Sequence, residues 1–229
     1  MNIITRRTIL YYAKLFPLAY TSLLSWYDEI RKTNFKNFNE LKGVYRNASV
    51  VANNRAVFNI KGNSYRLVVS LNFETQSLYV IWFGTHSAYD KIDVAILIKK
   101  NSMQNNWMVL KTEDEYDIAL ERTIEIFHSE KGTPEFHELE LLLLLVKDYE
   151  DRHYQIPDLD PIELIKLKLE EKGLKQKDLE PIIGSKGYVS SVLSGKKELT
   201  LKMVRGLHEF LGIPAEAFLT DTKKKVKLA

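Results

Sequence analysis

Arg66, His86, Tyr89 and Lys91 bring two proton-transfer groups and two cations into one stretch of the chain. Metal-free cleavage of RNA needs such a set. A base activates the 2′-hydroxyl, an acid protonates the leaving oxygen, and cations steady the phosphorane between them. Arg55 and Asn59 would share a face of one strand, Arg66 would project from the next, and His86 would end the third. Tyr89, Asp90 and Lys91 follow at once, in what reads as a short terminal helix. Each residue also has a plainer reading: His86 as a turn residue after Gly84-Thr85, Arg66 as a partner of Asp90, Tyr89 as core, Arg55 as an exposed edge charge. Residue type and spacing leave both readings open.

The elements that must hold these groups are legible as changes of period. Ile9, Tyr12, Leu15 and Phe16, then Leu23, Leu24, Tyr27 and Ile30 after Pro17, recur at helical spacing. A third short helix is expected around Asn39 to Tyr45. The period then drops to two. Tyr65, Leu67, Val69, Leu71 and Phe73 alternate with Arg66, Val68, Ser70 and Asn72, and Ala56, Phe58 and Ile60 alternate before the Lys61-Gly62-Asn63 turn. With Ser77 to Phe83 these runs predict an antiparallel meander with the early helices on one face, a compact α+β domain.

Beyond the polar stretch from Lys99 to Asn106 the pattern is helical. Thr112 and Glu115 form a capping box, Thr133-Pro134 opens a second helix, and Gln155-Ile156-Pro157-Asp158 reads as a linker. A series of short helices follows, with Gly173 and Gly195 as closing residues, Ser185 and Thr200 as N-caps, and Pro214 opening a last short turn. Two of them, roughly Lys175 to Ile182 and the helix after Gly184-Ser185, have the layout of a helix-turn-helix that presents its second helix to a DNA groove. That helix carries Lys186, Tyr188, Ser190, Ser191 and Ser194 off its buried side, then Lys196 and Lys197, and Gln176 opens the preceding one. A plain five-helix bundle with solvated lysines fits the same pattern.

Charge is distributed in blocks that the net value of +3 conceals. Residues 1–102 carry 14 Lys/Arg against 6 Asp/Glu, residues 103–160 carry 5 against 15, and residues 161–229 carry 14 against 9. Two basic segments suit polyanions, and the acidic one between them can compete for the same surface. The absence of cysteine excludes disulfides, thiolate metal sites and a Cys nucleophile. The five histidines include no helical i, i+4 pair, so neither a zinc site nor a cofactor is expected. Thr5-Arg6-Arg7 faintly resembles a twin-arginine signal, but Lys14 and Pro17 interrupt the apolar run and no cleavage site follows. The Leu141–Val146 run is too short to cross a bilayer. A cytoplasmic protein with no membrane partner is expected.

Two resemblances bear on these readings. "RAVFNIKGNSYRLVVSLNF" followed by "FGTHSAYDKID" is similar to the HigB-type mRNA interferase toxins, relatives of the RelE fold, over residues 1–98. The resemblance implies translation-dependent, metal-free cleavage of mRNA in the ribosomal A site. Position by position it points to Arg66, His86, Tyr89 and Lys91 for the chemistry. Asn59, Asn63 and Asp90 would hold the geometry, and Lys36, Lys42 and Arg55 would meet the RNA backbone. One position departs: the third strand of that family commonly reads Tyr-Ile-Arg-Phe, whereas Ile81 stands here in place of the arginine. Loss of one such donor costs on the order of 10²–10³ in rate.

The second covers Lys175–Leu219, where "GSKGYVSSVLSGKKELTLKMVRGLHEFLGIPAEAFL" resembles the helix-turn-helix of HigA-type antitoxins of the Xre/Cro class. It implies operator DNA binding as a dimer and repression of the protein's own operon. The layout is then a RelE-like α+β domain at 1–102, an acidic helical neutralising or linker region at 103–157, an all-α helix-turn-helix domain at 158–222 and a basic tail at 223–229. Toxin before antitoxin is the gene order the resemblance implies, and Met103 marks where a second chain would begin. The acidic helices are expected to dock on the basic domain and restrain it, within or between chains; a linker that only keeps the chain in solution is the alternative. A weakened or inactive toxin domain in a protein that works mainly as a transcriptional regulator is the alternative that Ile81 raises.

Overall fold

The computed structural model describes residues 1–91 and 107–218. The Lys99 to Asn106 stretch with Met103, the boundary at 102 and the basic tail 223–229 lie outside those residues. The chain divides into two compact units, Met1–Ile156 and Pro157–Ala229. The break falls inside the tetrapeptide that reads as a linker.

The first unit contains β1 (Asn2–Ile4), α1 (Arg6–Leu15), a 3-10 turn (Pro17–Ala19), α2 (Tyr20–Arg31), α3 (Phe38–Val44), β2 (Ser49–Val51), β3 (Arg55–Ile60), β4 (Tyr65–Asn72), β5 (Ser77–Thr85), α4 (His86–Tyr89), α5 (Glu113–Glu125) and α6 (Pro134–His153). The strands form one sheet in the order β1-β5-β4-β3-β2. The expected meander β3-β4-β5 is its centre. To it are added two three-residue edge strands, β2 antiparallel to β3 and β1 parallel to β5.

Cross-strand register sorts the side chains onto two faces, because directly opposed residues point the same way. Phe58 opposes Leu67, which opposes Phe83. This row and its neighbours Ala56, Ile60, Val69 and Leu71 are buried. Trp26 of α2 meets Phe58 at 5.4 Å between ring centroids, and Tyr12 of α1 meets Phe83 at 5.7 Å. The other face carries Arg55 and Asn59, Arg66, Ser70 and Asn72, and Tyr79 and Gly84. Pairing steps from Val68–Trp82 to Val69–Val80, so Ile81 is an extra residue, a β-bulge in β5.

The acidic helices α5 and α6 cover part of this second face. Ile4, Tyr79 and Leu110 join Tyr116, Leu120, Phe127, Leu139, Leu142, Val146 and Tyr149 in one buried cluster, with Ile81 packed against it. Tyr79 and Phe127 meet edge-on at 4.8 Å. Polar groups close the seam: Asn72 Nδ2 donates to the Phe127 carbonyl at 2.6 Å, and Ser70 Oγ lies 2.8 Å from His128 Nε2. Arg7 pairs with Glu113 and Asp117, and Arg6 with Asp151. The basic and acidic blocks are therefore joined within one compact unit.

Helix ends follow the local signals. Thr112 and Glu115 form both bonds of the capping box on α5, and Thr133 caps α6 with Pro134 in its first turn. At α1 the signal is not local. Thr5 sits at φ 75° and its side chain makes no capping bond. The Arg6 amide instead donates to Glu150 Oε1 of α6 at 2.9 Å. A carboxyl oxygen there satisfies an orphan amide of the first helical turn.

The second unit contains α7 (Pro161–Glu171), a 3-10 turn (Gln176–Leu179) leading into α8 (Glu180–Ile183), α9 (Lys186–Leu193), α10 (Leu201–Leu211) and a final 3-10 turn (Ala215–Phe218). Leu164, Ile165, Leu179, Ile183, Val189, Val192, Leu207 and Leu211 form its core. Gly173, at φ 65°, lets the chain turn out of α7 in the left-handed region. Gly206 allows α10 to approach α8, since a Cβ there would lie 2.6 Å from Ile182 Cγ2. Among the described residues no helix is long and apolar enough to cross a membrane.

Candidate nucleic-acid interfaces

Three central strands bring Asn59, Arg66 and Gly84 into one row: Asn59 pairs with Arg66, and Arg66 with Gly84. Two residues beyond Gly84 the strand ends and α4 begins. Thr85 caps it, accepting from the Ala88 amide at 3.3 Å, and the His86 amide donates to the Ser64 carbonyl at 3.0 Å. His86 is thus held against the turn that leads into Arg66. One helical turn on, Asp90 Oδ2 lies 3.1 Å from His86 Nδ1. That contact orients the ring and leaves Nε2 for a substrate.

The Arg66 guanidinium donates only to main-chain carbonyls, those of Asn63 at 3.3 Å and Tyr65 at 3.4 Å. It does not pair with Asp90, and its charge meets no carboxylate among the described residues. Tyr89 is half-buried, its ring 6.1 Å from that of Trp82, and Lys91 is exposed. Asn59, Asn63, Arg66, His86, Tyr89, Asp90 and Lys91 therefore gather at one end of the sheet. Such a group can exchange protons through His86 and Tyr89 and hold a phosphate with Arg66 and Lys91.

Three other expected residues are not part of it. Arg55 is only 4 % exposed. It pairs in register with Ser70, whose hydroxyl meets His128 of the α5–α6 connection, in the covered part of the sheet and away from the Arg66–His86 end. Burial, followed by the charge of Arg55, holds the His128 imidazole below its ordinary value. Lys36 and Lys42 are exposed, but they flank and belong to α3, whose Phe38 packs on Phe73 at 4.8 Å. Phe73 lies just past the far end of β4, roughly 20 Å from Arg66 at the rise of a strand. Ile81, standing where the arginine of the resembling family would be, faces the α5–α6 cluster. Trp82, which residue-type reasoning passed over, shares a strand face with Gly84; a bulky ring two residues from a glycine is the signal that marks it.

In the second unit α8, the Gly184-Ser185 turn and α9 form the helix-turn-helix. Val189, Val192 and Leu193 are buried, so Lys186, Ser190 and Ser194 face outward, with Tyr188 and Ser191 at the margins. Ser185 occupies the N-cap position of α9 without a side-chain capping bond. Ser191 Oγ donates to the Gly187 carbonyl at 2.9 Å, which leaves its lone pairs available. The Ser191 carbonyl accepts the Lys196 amide at 2.9 Å and the Lys197 amide at 3.2 Å, folding both lysines back beside the helix. Lys197 Nζ lies 4.2 Å from the centroid of the Tyr188 ring, a cation–π contact that places charge and ring together. Gln176 is exposed at the start of the preceding turn. The arrangement offers one cationic, hydroxyl-rich helix face to a groove.

Comparison with known proteins divides the chain in the same way. Residues 19–92 match the family model of the HigB toxin, a RelE-like toxic component of a toxin-antitoxin system, and residues 165–218 match a helix-turn-helix model. Over 92 residues the chain is 32% identical to the mRNA interferase toxin HigB of Escherichia coli (strain K12), a match covering 39% of this chain and 88% of that protein. The mRNA interferase HigB of Shigella flexneri matches to the same extent. Over 118 residues the chain is 30% identical to the antitoxin HigA of Escherichia coli (strain K12), covering 48% of this chain and 83% of that protein.

Proposed function

Because the chain belongs to the HigB toxin family in its first part and to the HigA antitoxin family in its second, a toxin–antitoxin pair on one polypeptide, we propose that it is a self-restrained mRNA endoribonuclease that also represses its own operon. The observation that carries this reading is the covered sheet face: α5, α6 and their connection pack on the toxin fold through Tyr79, Ile81, Ser70 and Asn72 and, among the described residues, leave the Arg66–His86 end outside their contacts.

Cleavage joins the 2′-oxygen to phosphorus and breaks the bond to the 5′-oxygen. The 2′-hydroxyl proton leaves to a base, and the departing 5′-oxygen takes one from an acid. His86, oriented by Asp90, and Tyr89 are the proton-transfer pair, and Arg66 and Lys91 stabilise the phosphorane. Asn59 and Asn63 keep the geometry, and no metal is required. The substrate is mRNA in the ribosomal A site. Because α5 and α6 leave this end clear among the described residues, the docked helices restrain cleavage by adding bulk that the ribosome cannot admit. The helix-turn-helix unit binds operator DNA as a homodimer through Lys186, Tyr188, Ser190, Ser191, Lys196 and Lys197, with Gln176 on a phosphate.

The test is expression of residues 1–102 beside the full chain in cells, following growth and new mRNA 5′ ends. Arrest and cuts are expected from the fragment and little of either from the full chain. Arg66→Ala should abolish the cuts. If neither form cuts, the ribonuclease reading fails and the DNA-binding half is the working part of the protein.

A further inference from the structure

We propose that Trp82 is a stacking platform for one unpaired nucleobase beside the scissile phosphate, an inference that rests on the ribonuclease reading above. Of the three tryptophans, two have structural partners: Trp26 is buried against Phe58, and Trp107 donates to Glu138 at 2.8 Å. Trp82 is half-exposed, and its indole N–H has no hydrogen-bond partner among the described residues. It also lies outside the cluster that α5 and α6 form on the sheet, although its neighbour Ile81 belongs there. The bulge separates the two, turning Ile81 toward the helices while Trp82 resumes the register opposite Val68.

The ring is set in place rather than merely tolerated. Gly84, two residues on and on the same face, lies beneath it: a Cβ at Gly84 would be 2.6 Å from Trp82 Cζ2 and 2.8 Å from Cη2. Tyr89 flanks it at 6.1 Å and 47°. Arg66 pairs directly with Gly84, so the indole extends toward the strand position whose guanidinium meets no carboxylate among the described residues. Aromatic side chains beside cations are how proteins hold splayed single-stranded bases, because every base has a π-face and its phosphate needs a counter-charge. Here the base would lie on Trp82 and its phosphate against Arg66 and His86.

The full chain suits the test, since the platform lies outside the α5–α6 contacts. It would be titrated with a short, single-stranded, 2′-O-methylated oligoribonucleotide, following tryptophan emission and affinity. Trp82→Ala should weaken binding on the order of 10- to 100-fold, the range of base–aromatic stacking, and abolish the quenching. Trp82→Phe should retain affinity within about threefold, whereas Trp82→Leu, which preserves apolar cover but cannot stack, should behave as the alanine variant. Gly84→Ala, displacing the ring without deleting it, should weaken binding too. An oligonucleotide with one abasic position should lose affinity for the unaltered chain and lose none further with Trp82→Ala. Binding and quenching unchanged in both the alanine and leucine variants would overturn the platform while leaving ribonuclease function intact. Failure of the unaltered chain to bind the oligonucleotide would overturn the platform, and failure of residues 1–102 to cut mRNA as well would overturn both.

Discussion

At the Asn72 end of the sheet's second face, Ser70, Asn72 and Tyr79 lie against α5, α6 and their connection, whereas at the Gly84 end Asn59, Arg66 and His86 lie, among the described residues, outside those contacts. The covered end finds its partners across the helix seam, in the Phe127 carbonyl, the His128 ring and the Phe127 side chain. At the uncovered end the partners are local: Arg66 uses carbonyls at and beside its own turn, and His86 uses Asp90 one helical turn away. Buried polar groups must be satisfied by protein. Groups left with spare donors and charge at a surface can be satisfied by a ligand. Helix cover and the proposed chemistry therefore occupy different halves of one face, and Ile81 falls in the first.

That division can be broken most sharply at Phe127, which is fully buried against Tyr79. Phe127→Ala should cost about 3–5 kcal/mol of stability. All three tryptophans lie in Met1–Ile156, so their emission during urea unfolding follows that unit alone. An unchanged midpoint would mean that the helices do not hold the sheet as described.

Glu150 gives the next largest effect, and one that depends on pH. It is fully buried, accepts from the Tyr116 hydroxyl at 2.7 Å and from the Arg6 amide, and its Oε2 stays 3.9 Å from Arg6 Nε. Burial outweighs these partners and pushes its carboxyl up to about 7. A raised acid favours the neutral form in the fold. The stability it contributes is full below the ordinary carboxylate value and is lost as pH rises through about 7. The first unit should thus lose roughly 3 kcal/mol between about pH 5 and pH 8, and Glu150→Gln should flatten that slope in urea midpoints. A slope that survives the substitution assigns the pH dependence elsewhere.

Lys131 and Glu74 form a pair 3.5 Å apart at the edge of the seam, both largely exposed. Lys131→Ala should change the same midpoint by no more than about 0.5 kcal/mol. A larger loss would show that the seam depends on its charged rim as much as on its core.

Local signals are legible in the sequence and distant ones are not. The β3–β5 alternation, the Thr112 capping box, Pro134 and Gly173 each act within a few residues, and each stands where its residue type suggests. The gathering of His86, Tyr89, Asp90 and Lys91 was legible for the same reason, since one strand end and one helical turn contain them all. β1 and β2 are three residues long, too short to display a period. Arg55 looked exposed because His128, which helps to bury its surroundings, lies far along the chain. Lys36 and Lys42 have the right charge, but charge carries no distance. The α1 cap from Glu150 spans 144 positions, and no window of sequence contains both ends.

With α5 and α6 on the toxin-fold side of the break at Ile156–Pro157, a protease acting in the stretch between His153 and Asp160 would, under the proposed function, detach the DNA-binding half from a ribonuclease that keeps its restraining helices. Transcription would rise, yet every new chain would bring its own inhibitor in one-to-one proportion. Derepression and toxin release, a single event when one dissociating inhibitor performs both duties, become two events that need two different cuts.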